Sequence, residues 1–172
     1  YEKALEDYTS AIDLDKENPE RYIDRSDCYV YLNDYDNALF DRTKAIEVAE
    51  NKEVYYTYRA DFYANYLENK EKALEDYDNA IKLAPEYKWP LNNKALVFMD
   101  QEKYDEALEV YDLIISFDST YWRAYSNKAD IFTKQEKHTE ALFNFNIVVS
   151  YNLENPERYG DRADCYIAME KY

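Results

Sequence analysis

Residues 17–30 read ENPERYIDRSDCYV, and residues 154–167 read ENPERYGDRADCYI. Eleven of the fourteen positions are identical; the changes are Ile23 for Gly160, Ser26 for Ala163 and Val30 for Ile167. The copies stand 137 residues apart, which is four times 34 plus one. A duplicated catalytic site and a repeating structural unit would both produce such a pattern. What lies between the copies decides between them.

An alanine follows a short charged turn at Ala4, Ala38, Ala73, Ala107 and Ala141, in steps of 34, 35, 34 and 34. Four residues beyond each comes Tyr8, Arg42, Tyr77, Tyr111 or Phe145, and seven beyond comes Ala11, Ala45, Ala80, Ile114 or Val148. Spacings of i, i+4 and i+7 share one face of a helix. Arg42 is the only charged residue in these columns. Between successive anchors lies a second helical pattern. Its columns are Tyr22, Tyr56, Leu91, Tyr125 and Tyr159; then Ser26, Ala60, Ala95, Ala129 and Ala163; then Tyr29, Tyr63, Phe98, Phe132 and Tyr166. A small residue flanked by large ones lets two helix backbones approach while the rings fill either side. The one extra residue falls in YANYLENKEKA, between Tyr63 and Ala73, and predicts a lengthened turn there. Asn18 before Pro19, and Asn155 before Pro156, read as an N-cap followed by the first helical residue. The quoted stretch is thus the start of one kind of helix, used twice.

This 34-residue helix–turn–helix resembles the tetratricopeptide repeat (TPR) family, in five consecutive anchors over the whole chain. The departures are a closing proline present only at Pro85, where the equivalent places hold Lys16, Glu50, Ser119 and Leu153, and alanine or serine in place of the family's common glycine. The resemblance implies an all-α solenoid of antiparallel helix pairs wound as a right-handed superhelix, with about ten helices. The expected organisation is one array over 1–172: an orphan second helix at 1–15, repeats at 19–52, 53–87, 88–121 and 122–155, and an orphan first helix at 156–172. Because the chain opens out of phase and without methionine, it reads as a fragment of a longer protein.

Composition narrows the function. Acidic side chains number 37 against 21 basic ones, a net charge of −16, which disfavours nucleic acid and anionic membrane surfaces. The same charge would either simply keep the chain soluble, the first reading, or steer basic partners toward it. No apolar run approaches the roughly 20 residues needed to span a bilayer. The single glycine argues against a fold rich in tight turns, because glycine supplies the positive φ those turns need. Cys28 and Cys165 hold equivalent places eight helix layers apart, too far for a disulfide. They read as reduced, half-buried thiols, which fits a reducing, cytoplasmic compartment.

Catalysis has no visible home. His138 stands in the turn slot of Tyr35 and Tyr104, without a thiol or carboxylate constellation for nucleophilic or metal chemistry. The acidic run DLDKENPE (13–20) lacks the spacing and glycine of a calcium loop. No phosphate-cradling loop is present, so neither a cofactor nor a metal is implied. Fourteen of the 21 tyrosines fall in repeat columns and read as packing residues. Of the rest, Tyr31 and Tyr58 are best placed to face an inner groove.

Two sets of polar residues remain. Arg25, Arg59, Lys94, Lys128 and Arg162 are equivalent on the first helices, and Asp7, Asp41, Asp76, Val110 and Asn144 on the second. Arginine occurs where the following helix offers an aspartate, and its planar fork suits a carboxylate. Structural ion pairs Arg25–Asp41 and Arg59–Asp76 are expected. In TPR arrays the exposed faces of the first helices line the concave surface. Here those slots hold Asp24, Asp27, Tyr31, Tyr58, Asp61, Asn92, Asn93, Arg123, Asn127 and Asp130, continued by Asp161 and Asp164. TPR domains that hold a chaperone's C-terminal carboxylate use lysine, asparagine and arginine on these faces. Only Asn93, Asn127 and Arg123 fit that clamp, and the surrounding aspartates would repel a carboxylate. The resemblance implies a scaffold or adaptor, not an enzyme, binding a peptide segment of another protein. A ladder of Asp and Asn would prefer a basic segment; a merely solvated acidic face is the bland alternative. A second function class is head-to-tail self-association through the complementary end helices.

Overall fold

A computed structural model describes residues 1–151 and 156–170. The helices are α1 (Glu2–Leu14), α2 (Pro19–Tyr31), α3 (Tyr35–Val48), α4 (Lys52–Asn65), α5 (Lys70–Leu83), α6 (Lys88–Asp100), α7 (Tyr104–Phe117), α8 (Trp122–Lys134), α9 (His138–Tyr151) and α10 (Pro156–Glu170). No strand occurs among the described residues. The chain divides into two compact units, Tyr1–Asn93 and Lys94–Tyr172. The N-cap reading holds at Asn18, whose side chain accepts the Glu20 N–H at 3.1 Å ahead of Pro19. Its counterpart at Asn155, like the turn position of Tyr172, lies outside the described residues.

In the first unit the anchor alanines Ala38, Ala45, Ala73 and Ala80 are fully buried, as is Ala60. The close approach of α2 and α3 is explicit: Ser26 Oγ donates to the Ala38 carbonyl at 3.0 Å. A larger side chain at either position would occupy the space of the other backbone. Ile12, Tyr22, Ile23, Ala45, Ile46, Ala49 and Tyr55 form one apolar cluster of this unit. In the second unit Ala129 of α8 meets Ala141 and Phe145 of α9, joined by Cys165 of α10. Both cysteines are free and buried rather than half-buried.

The turns correct one expectation. Asn33 (φ 59°), Glu68 (50°), Glu102 (58°) and Glu136 (58°) are all left-handed, one in each turn joining the helices of a pair. The chain therefore makes the tight turns that its lack of glycine argued against, and non-glycine residues carry the positive φ. Each turn closes with a backbone bond that satisfies an end-of-helix carbonyl. The bonds run from Asp34 N–H to Tyr29 O at 2.9 Å, Lys103 to Phe98 at 2.9 Å and Lys137 to Phe132 at 2.8 Å. In the α4–α5 turn, lengthened as the sequence predicts, the bond reaches one residue further, from Asn69 to Tyr63 at 2.9 Å.

Candidate peptide-binding faces

Two arginine forks lock the helix pairs of the first unit. Arg25 Nε and Nη2 donate to Asp41 Oδ2 and Oδ1, each at 2.7 Å. Arg59 repeats the arrangement on Asp76 at 2.7 and 2.8 Å. The remaining guanidinium nitrogen points back one helix, to Thr9 Oγ1 at 3.1 Å from Arg25 and to Thr43 Oγ1 at 3.2 Å from Arg59. The hydrogen bond to Asp41 raises the pKa of Arg25, and the bond to Asp76 does so for Arg59. In the second unit, where Asn144 replaces the aspartate, Lys128 pairs backward with Asp112 on α7.

The predicted binding residues of the first unit gather around Arg42. This side chain sits in an otherwise aromatic column and is only 8 % exposed. Its Nη2 donates to Asp27 Oδ1 at 2.6 Å and its Nη1 to the Tyr58 carbonyl at 3.3 Å, while its plane lies 5.0 Å from the Phe62 ring centre. Nε finds no partner among the described residues, and burial lowers the pKa of the group. One layer on, Tyr77 takes the same column, and its hydroxyl donates to Asp61 Oδ1 at 2.6 Å. Asn93 Nδ2 donates to the same oxygen at 2.8 Å, and Asn92 Nδ2 to Asn93 Oδ1 at 3.2 Å. Asp61, Asn92 and Asn93 thus form one hydrogen-bonded chain. Burial raises the pKa of Asp61 against these donors, and that of Asp27 against Arg42.

Asp27, Tyr58 and Asp61 line a cavity of about 290 Å³ with Ile23, Arg42, Phe62, Asn65 and Tyr66. Tyr58 stands edge-on to Tyr55 at 5.9 Å and to Trp89 at 5.5 Å. Asp24 lies outside the cavity, in a loose pair with Arg21 at 3.7 Å. Tyr31 is also outside it and exposed, stacked on Tyr1 with ring centres 4.5 Å apart. In the second unit, Arg123 lies exposed over the Trp122 ring at 4.9 Å. Asn127 hydrogen-bonds Tyr111. Asp130, exposed at its outer edge, has its pKa pushed up to about 6 by the protein crowding its carboxyl and by Asp161.

Neither Arg42 nor Trp89 is among the binding residues that the repeat pattern predicts. Arg42 had a signal, since a lone charge in an aromatic column must be paired or exposed. Trp89 stands outside the columns and had none.

Paired helices with anchor alanines at this spacing, and polar residues on the first helices, define a helical-repeat array. Two family models, both described as tetratricopeptide repeat, match residues 64–121 and 92–146 and residues 19–52. The chain belongs to the tetratricopeptide-repeat family. It is similar in structure to a tetratricopeptide repeat protein from Parabacteroides merdae (24 % identity, TM-score 0.78, covering 98 % of this chain and 66 % of that one). It thus spans just under two thirds of that relative's length. It is also similar to YrrB, a TPR protein with an unusual peptide-binding site (20 % identity, TM-score 0.68, covering 97 % and 86 %). A third similar structure is the first TPR of Spaghetti (RPAP3) bound to the HSP90 peptide SRMEEVD (17 % identity, TM-score 0.64, covering 71 % and 96 %). These likenesses concern the fold. No curated protein matches the chain. Among the described residues no helix is long and apolar enough to cross a membrane, and no group of three or more His, Cys, Asp or Glu could hold a metal ion.

Proposed function

We propose that this protein is a non-enzymatic interaction scaffold that holds an extended, basic segment of a partner protein on the exposed faces of its first helices. The observation that carries the reading is the cavity of the first unit, where Asp27, Tyr58 and Asp61 converge with the rings of Phe62 and Tyr66. Two carboxylates against one guanidinium leave it net negative, and the aromatic walls suit the aliphatic stem of a lysine or arginine. Asp24 and Tyr31 on α2 and Asn92 and Asn93 on α6 extend the polar surface. In the second unit Arg123, Asn127 and Asp130 offer a separate donor and acceptor set. Two relatives by fold are described with peptide sites, one of them holding the acidic SRMEEVD. Here the aspartates favour the opposite charge.

The test uses Trp89 as reporter in a Trp122→Phe background. Adding a lysine- and arginine-rich peptide should change Trp89 emission and saturate, and Tyr58→Ala should weaken binding about tenfold, on the scale of one lost aromatic contact. A peptide that binds equally well to the Tyr58→Ala chain would remove the cavity from the reading.

A further inference from the structure

Beside the cavity, on its Tyr58 side, stand two rings that the repeat columns do not use, Tyr87 and Trp89. Tyr58 comes from α4, Tyr87 from the loop before α6 and Trp89 from the first turn of α6. Trp89 lies 5.5 Å from Tyr58 and 6.5 Å from Tyr87 between ring centres, with its plane 77° from each. Its indole hydrogen-bonds Asp61, which holds the ring in place at the protein surface, where Trp89 is 41 % exposed. The three rings therefore form an aromatic corner open to solvent rather than part of a closed core.

Carboxylates surround this corner. Glu20 accepts the Tyr55 hydroxyl at 2.7 Å, and the Tyr55 ring stands edge-on to Tyr58. Burial and then the charges of Glu20, Asp27 and Asp61 raise the pKa of Tyr58, with Arg42 acting the other way. Burial, Tyr58, Asp61 and Glu53 raise that of Tyr87. Asp61 is already taken by the Tyr77, Asn93 and Trp89 donors, so it acts on the corner through its charge. An exposed indole in such a field suits a cation with a flat, weakly hydrated face, a guanidinium more than an ammonium. The chain itself sets arginines over rings in this way, Arg42 over Phe62 at 5.0 Å and Arg59 over Tyr56 at 5.8 Å.

We propose that Tyr58, Tyr87 and Trp89 form a second cation site, which takes an arginine of the bound segment while another basic side chain fills the cavity. This rests on the basic-segment reading and narrows it. The two sites share Tyr58, so their occupants are neighbours on one face of an extended chain. Side chains recur there at every second residue, roughly 6.6 Å apart, which makes Arg-x-Arg the preferred pattern.

The test is isothermal titration calorimetry at low salt with three serine-based peptides. One carries Arg-x-Arg, and in the others one or the other arginine is citrulline, which keeps the shape and removes the charge. The natural chain, Trp89→Phe and Trp89→Leu are compared, with urea denaturation confirming that each is folded. Both substitutions remove the bond to Asp61, and only Trp89→Phe keeps a ring. On the natural chain Arg-x-Arg should bind about fourfold tighter than either citrulline peptide, the scale of one exposed cation–ring contact. Trp89→Phe should keep most of that difference, and Trp89→Leu should lose it while binding the citrulline peptides about as before. Equal affinity for all three peptides on the natural chain, or a difference that survives Trp89→Leu, would overturn the second site and leave the cavity reading standing. So would a difference lost as fully in Trp89→Phe, which would trace it to the Asp61 bond. Absence of binding by all three peptides would remove the basic-segment reading itself.

Discussion

Arg25 holds Asp41 in a two-bond fork, each bond 2.7 Å, with the Asp41 carboxylate completely shut off from solvent. A buried carboxylate is tolerated only because the guanidinium is planar, close and hydrogen-bonded at both oxygens. Removing one partner strands the other. Arg25→Ala should therefore destabilise the chain by about 3 kcal/mol, read as a shift in the urea midpoint. Arg25→Lys should fall between the two, because a point charge cannot make the fork. A loss below about 0.5 kcal/mol for Arg25→Ala, the scale of an exposed pair, would show that the fork does not hold the helices together.

Arg42 is buried with its pairing incomplete, because its Nε finds no partner among the described residues. Its column is otherwise aromatic, and Tyr77 shows that a tyrosine hydroxyl can serve a ladder aspartate at 2.6 Å. Arg42→Tyr should leave the chain at least as stable, with a gain of up to about 1 kcal/mol, since a buried charge with an unpartnered nitrogen is removed. Arg42→Ala should instead cost about 2 kcal/mol through the void left beside Phe62. Chemical denaturation of the two variants side by side checks both signs.

The turns hold strain of another kind. A glutamate in the left-handed region costs about 1 kcal/mol or more relative to glycine, while glycine's greater freedom in the unfolded chain returns part of that. Glu102→Gly and Glu136→Gly should each raise stability by about 0.5 kcal/mol, within the spread of these two effects. Asn33→Gly should do less, because asparagine tolerates that conformation. Thermal melts of the three variants order them.

Asp130 should titrate near about 6, lifted first by burial and then by Asp161. Its folded-state pKa lies above the ordinary carboxylate value of 3.8, so between the two the folded chain holds a proton that the unfolded chain lacks. The group opposes folding at pH 7 and ceases to do so as pH falls through about 6 toward 4. Carboxyl NMR should place the midpoint there, and Asp161→Asn should lower it. A midpoint near 4 in the natural chain would remove this contribution.

Much of the fold was legible because packing leaves periodic marks. Ala38 and Ser26 must be small where two backbones approach, and every layer repeats the requirement. The Arg25–Asp41 and Arg59–Asp76 forks were legible for the same reason, as residue types that vary together. The turns were not, because positive φ at Glu68, Glu102 and Glu136 overrides local preference through tertiary context. The candidate site was legible only in part. Exposed first-helix positions could be enumerated from the repeat, but that Asp61 is occupied by Tyr77 and Asn93 depends on side-chain reach between helices. Arg42 marked itself as an exception, yet what it touches could not be read from its column.

The most direct test of the scaffold reading is capture of the chain on an array of basic, neutral and acidic-C-terminal peptides, at low and at moderate salt. Basic peptides should be captured, and the capture should weaken with added salt. Asp24→Asn and Asp27→Asn together should weaken it by about tenfold, on the scale of two partly screened charge contacts. Capture of acidic-C-terminal peptides in preference to basic ones, or no capture at either salt, would contradict it.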